Sequence, residues 1–261
     1  MDTKFWGPSG WRLLHLVATG PHAAKNQQFW ESLPFVLPCK FCRASLTTYY
    51  ETLPVPTKQA DFAEWLYKIH NMVNKKLKDQ GQTLPPDPTF QAVHTRYTEL
   101  LSAGCTKTVF PGWEMLFCIA DNHPASSPSK PMPDAPDVQP TSLKEKNRYN
   151  LLTPAERKAA LRRFWTSIPD VLPFAEWQQI WRHAAGPVAK AVQSRRTALA
   201  WLWKIRCAMN RELHQMSQTD FYGLCKTIRT HRSGCSTSVR AKTCRAMRGG
   251  KRKTRSSKQR V

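Results

Sequence analysis

The strongest constraint on how this chain folds is an internal repeat. Phe29-Trp30-Glu31-Ser32-Leu33-Pro34-Phe35-Val36-Leu37-Pro38 returns as Phe164-Trp165-Thr166-Ser167-Ile168-Pro169-Asp170-Val171-Leu172-Pro173, with seven of ten positions identical. Farther on, Trp65-Leu66-Tyr67-Lys68-Ile69 returns as Trp201-Leu202-Trp203-Lys204-Ile205, and Asn74 and Leu77 return as Asn210 and Leu213. The two markers recur at offsets of 135 and 136 residues, so one spacing relates both pairs. Stretches that share markers in the same order are expected to fold alike, and the chain reads as two tandem copies of one small domain.

An opening segment recurs more weakly, Gly10-Trp11 through Pro21-His22 resembling Gly112-Trp113 through His123-Pro124. From there to the next marker the second copy is longer by 33 residues, about the length of a polar stretch that starts at Asn122 and carries Pro128, Pro131, Pro133, Pro136 and Pro140. Repeated proline denies that stretch a continuous helix, so it reads as a linker or long surface loop. The expected division is 1–107 for the first copy, 108–235 for a degenerate second copy with a Pro/Ser-rich insert at 122–150, and 236–261 for a basic tail.

Elsewhere the pattern is helical. Trp11, Leu14, His15 and Ala18, and again Phe62, Trp65, Leu66, Ile69, Val73 and Leu77, recur at three- and four-residue spacing. Extended runs of alternating β-branched residues are missing, and the expected class is all-α. With 41% hydrophobic residues, ten Trp and eleven Phe in 261 residues, the chain has the material for packed cores. No stretch approaches the roughly 20 apolar residues of a membrane-spanning helix, and Met1 to Pro8 lacks the plan of a signal peptide, so the expectation is a protein that is neither membrane-bound nor secreted. Eight cysteines are too few for a disulfide scaffold, which directs attention to each one.

Lys and Arg number 40 against 18 Asp and Glu, for a formal net charge of +22. Thirteen of the basic residues, and no acidic ones, fall between Cys225 and Val261. The end of that stretch, Arg245 to Val261, has almost nothing to pack and reads as a disordered basic tail able to bind nucleic acid or another polyanion without sequence preference.

Two constellations carry chemistry. Cys39-Lys40-Phe41-Cys42 is the only Cys-x-x-Cys, and it leads into a first helical turn, Arg43-Ala44-Ser45-Leu46. A thiol at a helix start feels the positive end of the dipole, and Lys40 and Arg43 add to the field that favours the thiolate. The same motif is half of a structural zinc site, or a pair of reduced thiols, but no second close pair of Cys or His accompanies it. The second constellation, His70-Asn71-Met72-Val73-Asn74-Lys75-Lys76-Leu77, lies on an amphipathic helix with His70 and Asn74 sharing a face beside the apolar Ile69, Val73 and Leu77. Taken alone, such a His and Asn satisfy each other in a core.

Together with Phe5-Trp6-Gly7-Pro8-Ser9-Gly10-Trp11-Arg12-Leu13-Leu14-His15 and Arg96-Tyr97, these motifs resemble, in order and spacing, the ERV/ALR sulfhydryl oxidases, most closely the forms encoded by large cytoplasmic DNA viruses. The resemblance covers roughly residues 4 to 100. It implies a four-helix bundle with a short fifth helix, FAD held non-covalently, and a redox disulfide beside the flavin. Carried over by position, Cys39 exchanges with a substrate dithiol and Cys42 lies against the flavin, which passes electrons to molecular oxygen and yields hydrogen peroxide. Gly7, Pro8, Ser9, Trp11 and His15 approach the cofactor from the first helix, and His70, Asn71, Val73 and Asn74 from the fourth. Lys75 or Lys78 meets the phosphates, and Arg96 and Tyr97 close the adenine end. Leu77 is followed by Lys78-Asp79-Gln80-Gly81, where many relatives have Gly-Lys-Pro. Some family members relay electrons through a further cysteine pair on a mobile arm, for which Cys235 and Cys244 are the candidates, with Cys225 a third.

Aligned on the repeat, the second copy carries Phe174 for Cys39, Trp177 for Cys42, Arg206 for His70, Cys207 for Asn71 and Phe117 for His15, while Asn210 matches Asn74. That copy is therefore expected to be catalytically dead and without FAD. ERV/ALR domains pair as homodimers, and a tandem copy offers the partner face within one chain, a pseudo-dimer, as against a homodimer formed through the first copy. The resemblance implies thiol-containing protein substrates and work in the host cytoplasm or virion. The competing reading is a non-enzymatic scaffold that binds nucleic acid through its tail.

Overall fold

The computed structural model describes residues 2–124, 130–216 and 219–232; Cys235, Cys244 and the segment 236–261 lie outside the described residues. Among the described residues there are twelve α-helices and no strand, as the periodicity predicts. The N-terminal half contributes α1 (Thr3–Thr19), α2 (Gln27–Val36), α3 (Lys40–Thr52), α4 (Phe62–Asp79) and α5 (Phe90–Ala103). The C-terminal half contributes α6 (Trp113–Asp121), α7 (Leu143–Arg148), α8 (Pro154–Val171), α9 (Ala175–Ala185), α10 (Ala189–Gln193), α11 (Arg195–Glu212) and α12 (Phe221–His231).

Local chemistry fixes where these helices begin. Asp2, Asn26 and Thr89 accept from backbone N–H groups two or three residues on, at the starts of α1, α2 and α5. Thr153 and Glu156 form a reciprocal capping box at α8, with Pro154 in the first turn where its missing N–H has no helical partner to lose. Cys39 occupies the cap position of α3 in an extended conformation and makes no side-chain cap bond.

The packing repeats across the halves. Trp30 and Trp65 meet edge-on at 5.4 Å, and Trp165 and Trp201, the matching residues, meet edge-on at 5.5 Å. The Ser32 hydroxyl donates to the Phe29 carbonyl and the Ser167 hydroxyl to the Phe164 carbonyl. Trp30 and Trp165 are both wholly enclosed.

The halves meet through matching helices, α2 against α8 and α1 against α6. Phe29 stacks on Phe164 with ring centroids 5.5 Å apart. Gly10 of α1 lies against Met115 of α6, and Gly112, which precedes α6, lies against Leu13 of α1; glycine and partner exchange roles at one offset of 102 residues. A Cβ at Gly10 would sit 2.6 Å from the Met115 sulfur, so a larger residue there would force the buried Met115 side chain to shift.

The stretch from Asn122 to Ser142 forms no helix among its described residues, as its prolines predict. The end of the 122–150 insert contains α7 and buries Asn147 and Asn150 against the N-terminal half. The Asn147 amide donates to the Pro34 carbonyl at 3.0 Å and to the Thr47 hydroxyl at 2.8 Å, and Arg148 pairs with Glu51. Proline prevents continuous helix in that segment but not docking, because side-chain amides supply bonds that the backbone does not.

Candidate functional site

A cleft of about 520 Å³ opens between α1, α3 and α4. Its wall is largely apolar and takes in Gly7, Pro8 and Trp11 from α1, Cys42 from α3, and His70, Val73 and Asn74 from α4. Three elements distant in sequence thus bring the Cys-x-x-Cys motif and the His-Asn motif to one surface.

At its centre the Trp11 and His70 rings stack, with centroids 3.9 Å apart and planes 11° apart. His15 Nε2 lies 3.0 Å from His70 Nδ1, so one ring nitrogen donates and the other accepts. Tyr97 stacks on His15 at 5.1 Å, which makes a continuous aromatic bank from α1 through α4 to α5. Burial holds His15 down to about 3, with His70 and Arg96 adding to the effect, and burial holds His70 down to about 4. Both imidazoles are neutral at physiological pH and present flat, uncharged faces.

The thiols differ in exposure. Cys39 is buried at 1% exposure, whereas Cys42 is partly exposed and forms part of the cleft wall. The cap position of Cys39 turns it inward, and Cys42, one helical turn later, faces the His70 side. Tyr49, on the same helix, reaches across to α4 and donates to the Met72 carbonyl at 3.4 Å, and Lys76 of α4 donates to the Ser45 hydroxyl at 2.5 Å. These bonds tie the thiol-bearing helix to the His-Asn helix.

Several buried polar atoms of the wall have no hydrogen-bond partner among the described residues: Trp6 Nε1, Tyr50 Oη, and both amide atoms of Gln80. Orphaned donors and acceptors facing an apolar cleft are what a flat, polar-edged ligand would satisfy. The residues present therefore fit an aromatic cofactor with a hydrogen-bonding rim.

Other residues of the predicted set are arranged differently. Ser9 is buried and donates to the Pro111 carbonyl at 2.8 Å, serving the contact between the halves and not the cleft. Asn71 is half-buried outside the cleft wall. Lys75 turns to Asp79 with its side chain 77% exposed, and Lys78 pairs with Asp87 at 2.6 Å, leaving Lys76 as the α4 lysine in the wall, with Lys4 contributed by α1. Asp87 also accepts from Asn74 at 2.7 Å, and these bonds hold its carboxyl below the ordinary range. Arg96 is exposed and lies over the Tyr97 ring at 6.0 Å. Sequence reading missed Trp6, Gln80 and Lys76; the helical register of Lys76, seven residues after Ile69 and three after Val73, was the available signal.

In the C-terminal half the matching positions are filled. The Arg206 guanidinium lies 5.9 Å from the Trp113 ring, 6.0 Å from Phe117 and 5.6 Å from Trp203. Phe174 and Trp177 pack edge-on at 4.8 Å, and Trp177 is wholly enclosed. Among the described residues no group of three His, Cys, Asp or Glu side chains converges to hold a metal, and no helix is long and apolar enough to cross a membrane.

The family model of the Erv1/Alr family matches residues 8–95. The FAD-linked sulfhydryl oxidase of African swine fever virus is 35% identical over 80 residues, a span of 28% of this chain and 67% of that protein. The mitochondrial FAD-linked sulfhydryl oxidase of Saccharomyces cerevisiae is 31% identical over 85 residues, 30% of this chain and 45% of that protein. A probable FAD-linked sulfhydryl oxidase of Acanthamoeba polyphaga mimivirus is 29% identical over 85 residues, 28% of this chain and 59% of that protein. No solved structure matches the chain. The Cys-x-x-Cys helix and the His-Asn helix that share the cleft both lie within the matched span, and the chain belongs to the Erv1/Alr family.

Proposed function

We propose that the chain is a flavin-linked thiol oxidase in which the N-terminal half performs the chemistry and the C-terminal half is a catalytically dead second copy. The oxidase class and FAD follow from family membership and from the sulfhydryl oxidases that the chain resembles. The observation that carries the assignment to this cleft is Cys42 in the same wall as the stacked Trp11 and His70.

In this reading Trp11, His70, Val73 and Asn74 hold the isoalloxazine end, Gly7 and Pro8 allow close approach from α1, and Trp6 and Gln80 satisfy polar edges. Lys76 takes the role that sequence alone gave to Lys75 or Lys78 near the phosphates. His15 stands behind the wall and holds His70 as a neutral imidazole, whereas Tyr97 lines the cleft and stacks on His15. When bound, FAD accepts two electrons from the reduced cysteine pair and delivers them to molecular oxygen, which leaves as hydrogen peroxide. Cys39 and Cys42 take two electrons from a substrate dithiol, whose own disulfide forms, with release of its two protons, as theirs breaks. The burial of Cys39 means that its exchange with a protein substrate requires the start of α3 to open.

The division at about residue 107, the dead second copy and an internal pseudo-dimer belong to the same proposal. The exchanged glycine contacts of α1 and α6 and the matching tryptophan pairs support it. Likeness to viral oxidases supports thiol-bearing protein substrates in the host cytoplasm or virion.

The test is oxygen consumption and peroxide release with dithiothreitol as the reducing substrate. Wild type is expected to turn over, and Cys42→Ser to lose at least about 100-fold while retaining bound flavin. A Cys42→Ser protein with undiminished turnover would remove the cleft assignment.

A further inference from the structure

Arg43 follows Cys42 directly, and its backbone N–H donates to the Cys39 carbonyl at 3.0 Å. Its side chain turns inward and is 2% exposed. Nη1 donates to the Leu37 carbonyl at 2.8 Å and Nη2 to Asn150 Oδ1 at 2.6 Å; both acceptors are neutral. No carboxylate lies within ion-pair distance of Arg43 among the described residues. Asp121, the buried carboxylate of the C-terminal half, is treated in the opposite way, with Arg195 and Arg232 both paired to it. A fully enclosed guanidinium without a counter-ion is unfavourable unless an anion forms beside it.

The groups around it leave one source of that anion. Lys40, on the same helix, points outward to the carbonyls of Lys130 and Pro131, Lys76 of α4 is bonded to Ser45, and His70 is neutral. Tyr49 on α3 is pushed to higher pKa, chiefly by burial, and remains a neutral phenol. Arg157 of α8 is a second buried cation and works against Arg43. Only Cys39 and Cys42, as thiolates, act in its favour; burial and Arg157 draw the guanidinium down to about 9 against them.

We propose that the Arg43 guanidinium stabilises the reduced, thiolate form of the Cys39/Cys42 pair, and that Asn150, reaching over from the insert, is the residue that positions it. The inference rests on the redox role of that pair given above. When a substrate dithiol reduces the pair, the Cys39–Cys42 S–S bond breaks and the substrate S–S bond forms. Of the two protons released by the substrate, one stays on a thiol and one goes to solvent. The remaining thiolate supplies the charge that Arg43 lacks, and the disulfide form leaves the cation alone. Arg43 thereby makes the pair a stronger oxidant of its substrate, the same logic by which a stabilised reduced form raises any dithiol's potential. Asn150 holds the fork in place through its carbonyl, while its amide donates to the Lys130 carbonyl at 2.7 Å. A positive φ of 58° at this residue suits asparagine or aspartate.

The experiment equilibrates the full-length, flavin-loaded protein with graded glutathione redox buffers, quenches with acid, and counts Cys39 and Cys42 thiols by maleimide labelling and peptide mass. Alkylation rate against pH is measured on the reduced protein. Arg43→Met is expected to shift the equilibrium about tenfold or more toward the disulfide, which is about 30 mV more negative, and to raise the alkylation midpoint by about one pH unit. Arg43→Lys keeps the charge and is expected to stay near wild type. Asn150→Asp leaves Arg43 in place but gives it a counter-ion, and is expected to shift both readouts in the same direction as Arg43→Met, so the test survives if that variant fails to fold. Wild-type values in both Arg43→Met and Asn150→Asp would overturn the proposal, as would an equal shift in Arg43→Lys, which would mark shape and not charge. A wild-type pair that never forms a reversible disulfide would overturn the redox reading itself and this inference with it.

Discussion

His70 and Arg206 occupy matching places in the two halves, and they treat the space beside them in opposite ways. His70 lies flat against Trp11 in the wall of an open cleft, bonded to His15, on which Tyr97 stacks. Arg206 spreads its guanidinium over Trp113, Phe117 and Trp203. The surrounding shell is common to both, down to the edge-on tryptophan pair and the serine bonds of α2 and α8. On the proposed reading the difference teaches that the framework of such a helical domain and its chemistry are separable: a handful of substitutions would close a site while the packing around it persists.

The largest expected effect tests the shared shell. Trp30→Ala and Trp165→Ala each remove a wholly enclosed indole, and each is expected to lower unfolding free energy by about 3–5 kcal/mol in denaturant titration. Strongly unequal losses would break the claim that the two shells are alike. Next, His70→Arg imports the residue of the closed half into the open one. FAD affinity is expected to fall about 100-fold, roughly 2.7 kcal/mol, in fluorescence titration, because the longer side chain claims the face against Trp11.

Acid sharpens the comparison further. The folded-state pKa values of His15 and His70, about 3 and about 4, lie below the unfolded value of 6.5, so the unfolded chain binds more protons between them. Their contribution to stability is complete above pH 6.5 and is lost as pH falls toward 4 and then 3. Thermal unfolding of wild type is expected to show this loss, and His15→Phe, which copies Phe117, to flatten it. The smallest effect separates neighbours on α4: Lys75→Ala, at an exposed ion pair, is expected to change stability by less than about 0.5 kcal/mol and leave flavin binding intact, whereas Lys76→Ala is expected to weaken flavin binding several-fold.

Much of this was legible in the sequence. The three- and four-residue spacing of Trp65, Leu66, Ile69 and Val73 gave α4 and its buried face, and the repeat showed which positions of the two halves correspond. Family motifs pointed to Cys42, Trp11 and His70, which the fold brings to one cleft. The remainder depends on contacts that leave no local mark. Asn150 meets Arg43 across 107 residues, and the polar, proline-rich wording around it reads as a surface loop. Arg43 reads as part of the field on the Cys39/Cys42 pair, but its enclosure between the Leu37 carbonyl and Asn150 leaves no mark in the sequence. Lys75 and Lys76 differ by one residue, and an exposed partner, Asp79, rather than composition decides which of them leaves the wall.

The central claim is that one half of the chain holds flavin and the other has filled that space. Its most direct test is the absorbance spectrum of the purified protein, with flavin released by denaturation and counted per chain. The account predicts one FAD per chain, unchanged by Arg206→Ala and lost in His70→Arg. Two per chain would contradict the closed half, and none, even after reconstitution, would contradict the open one.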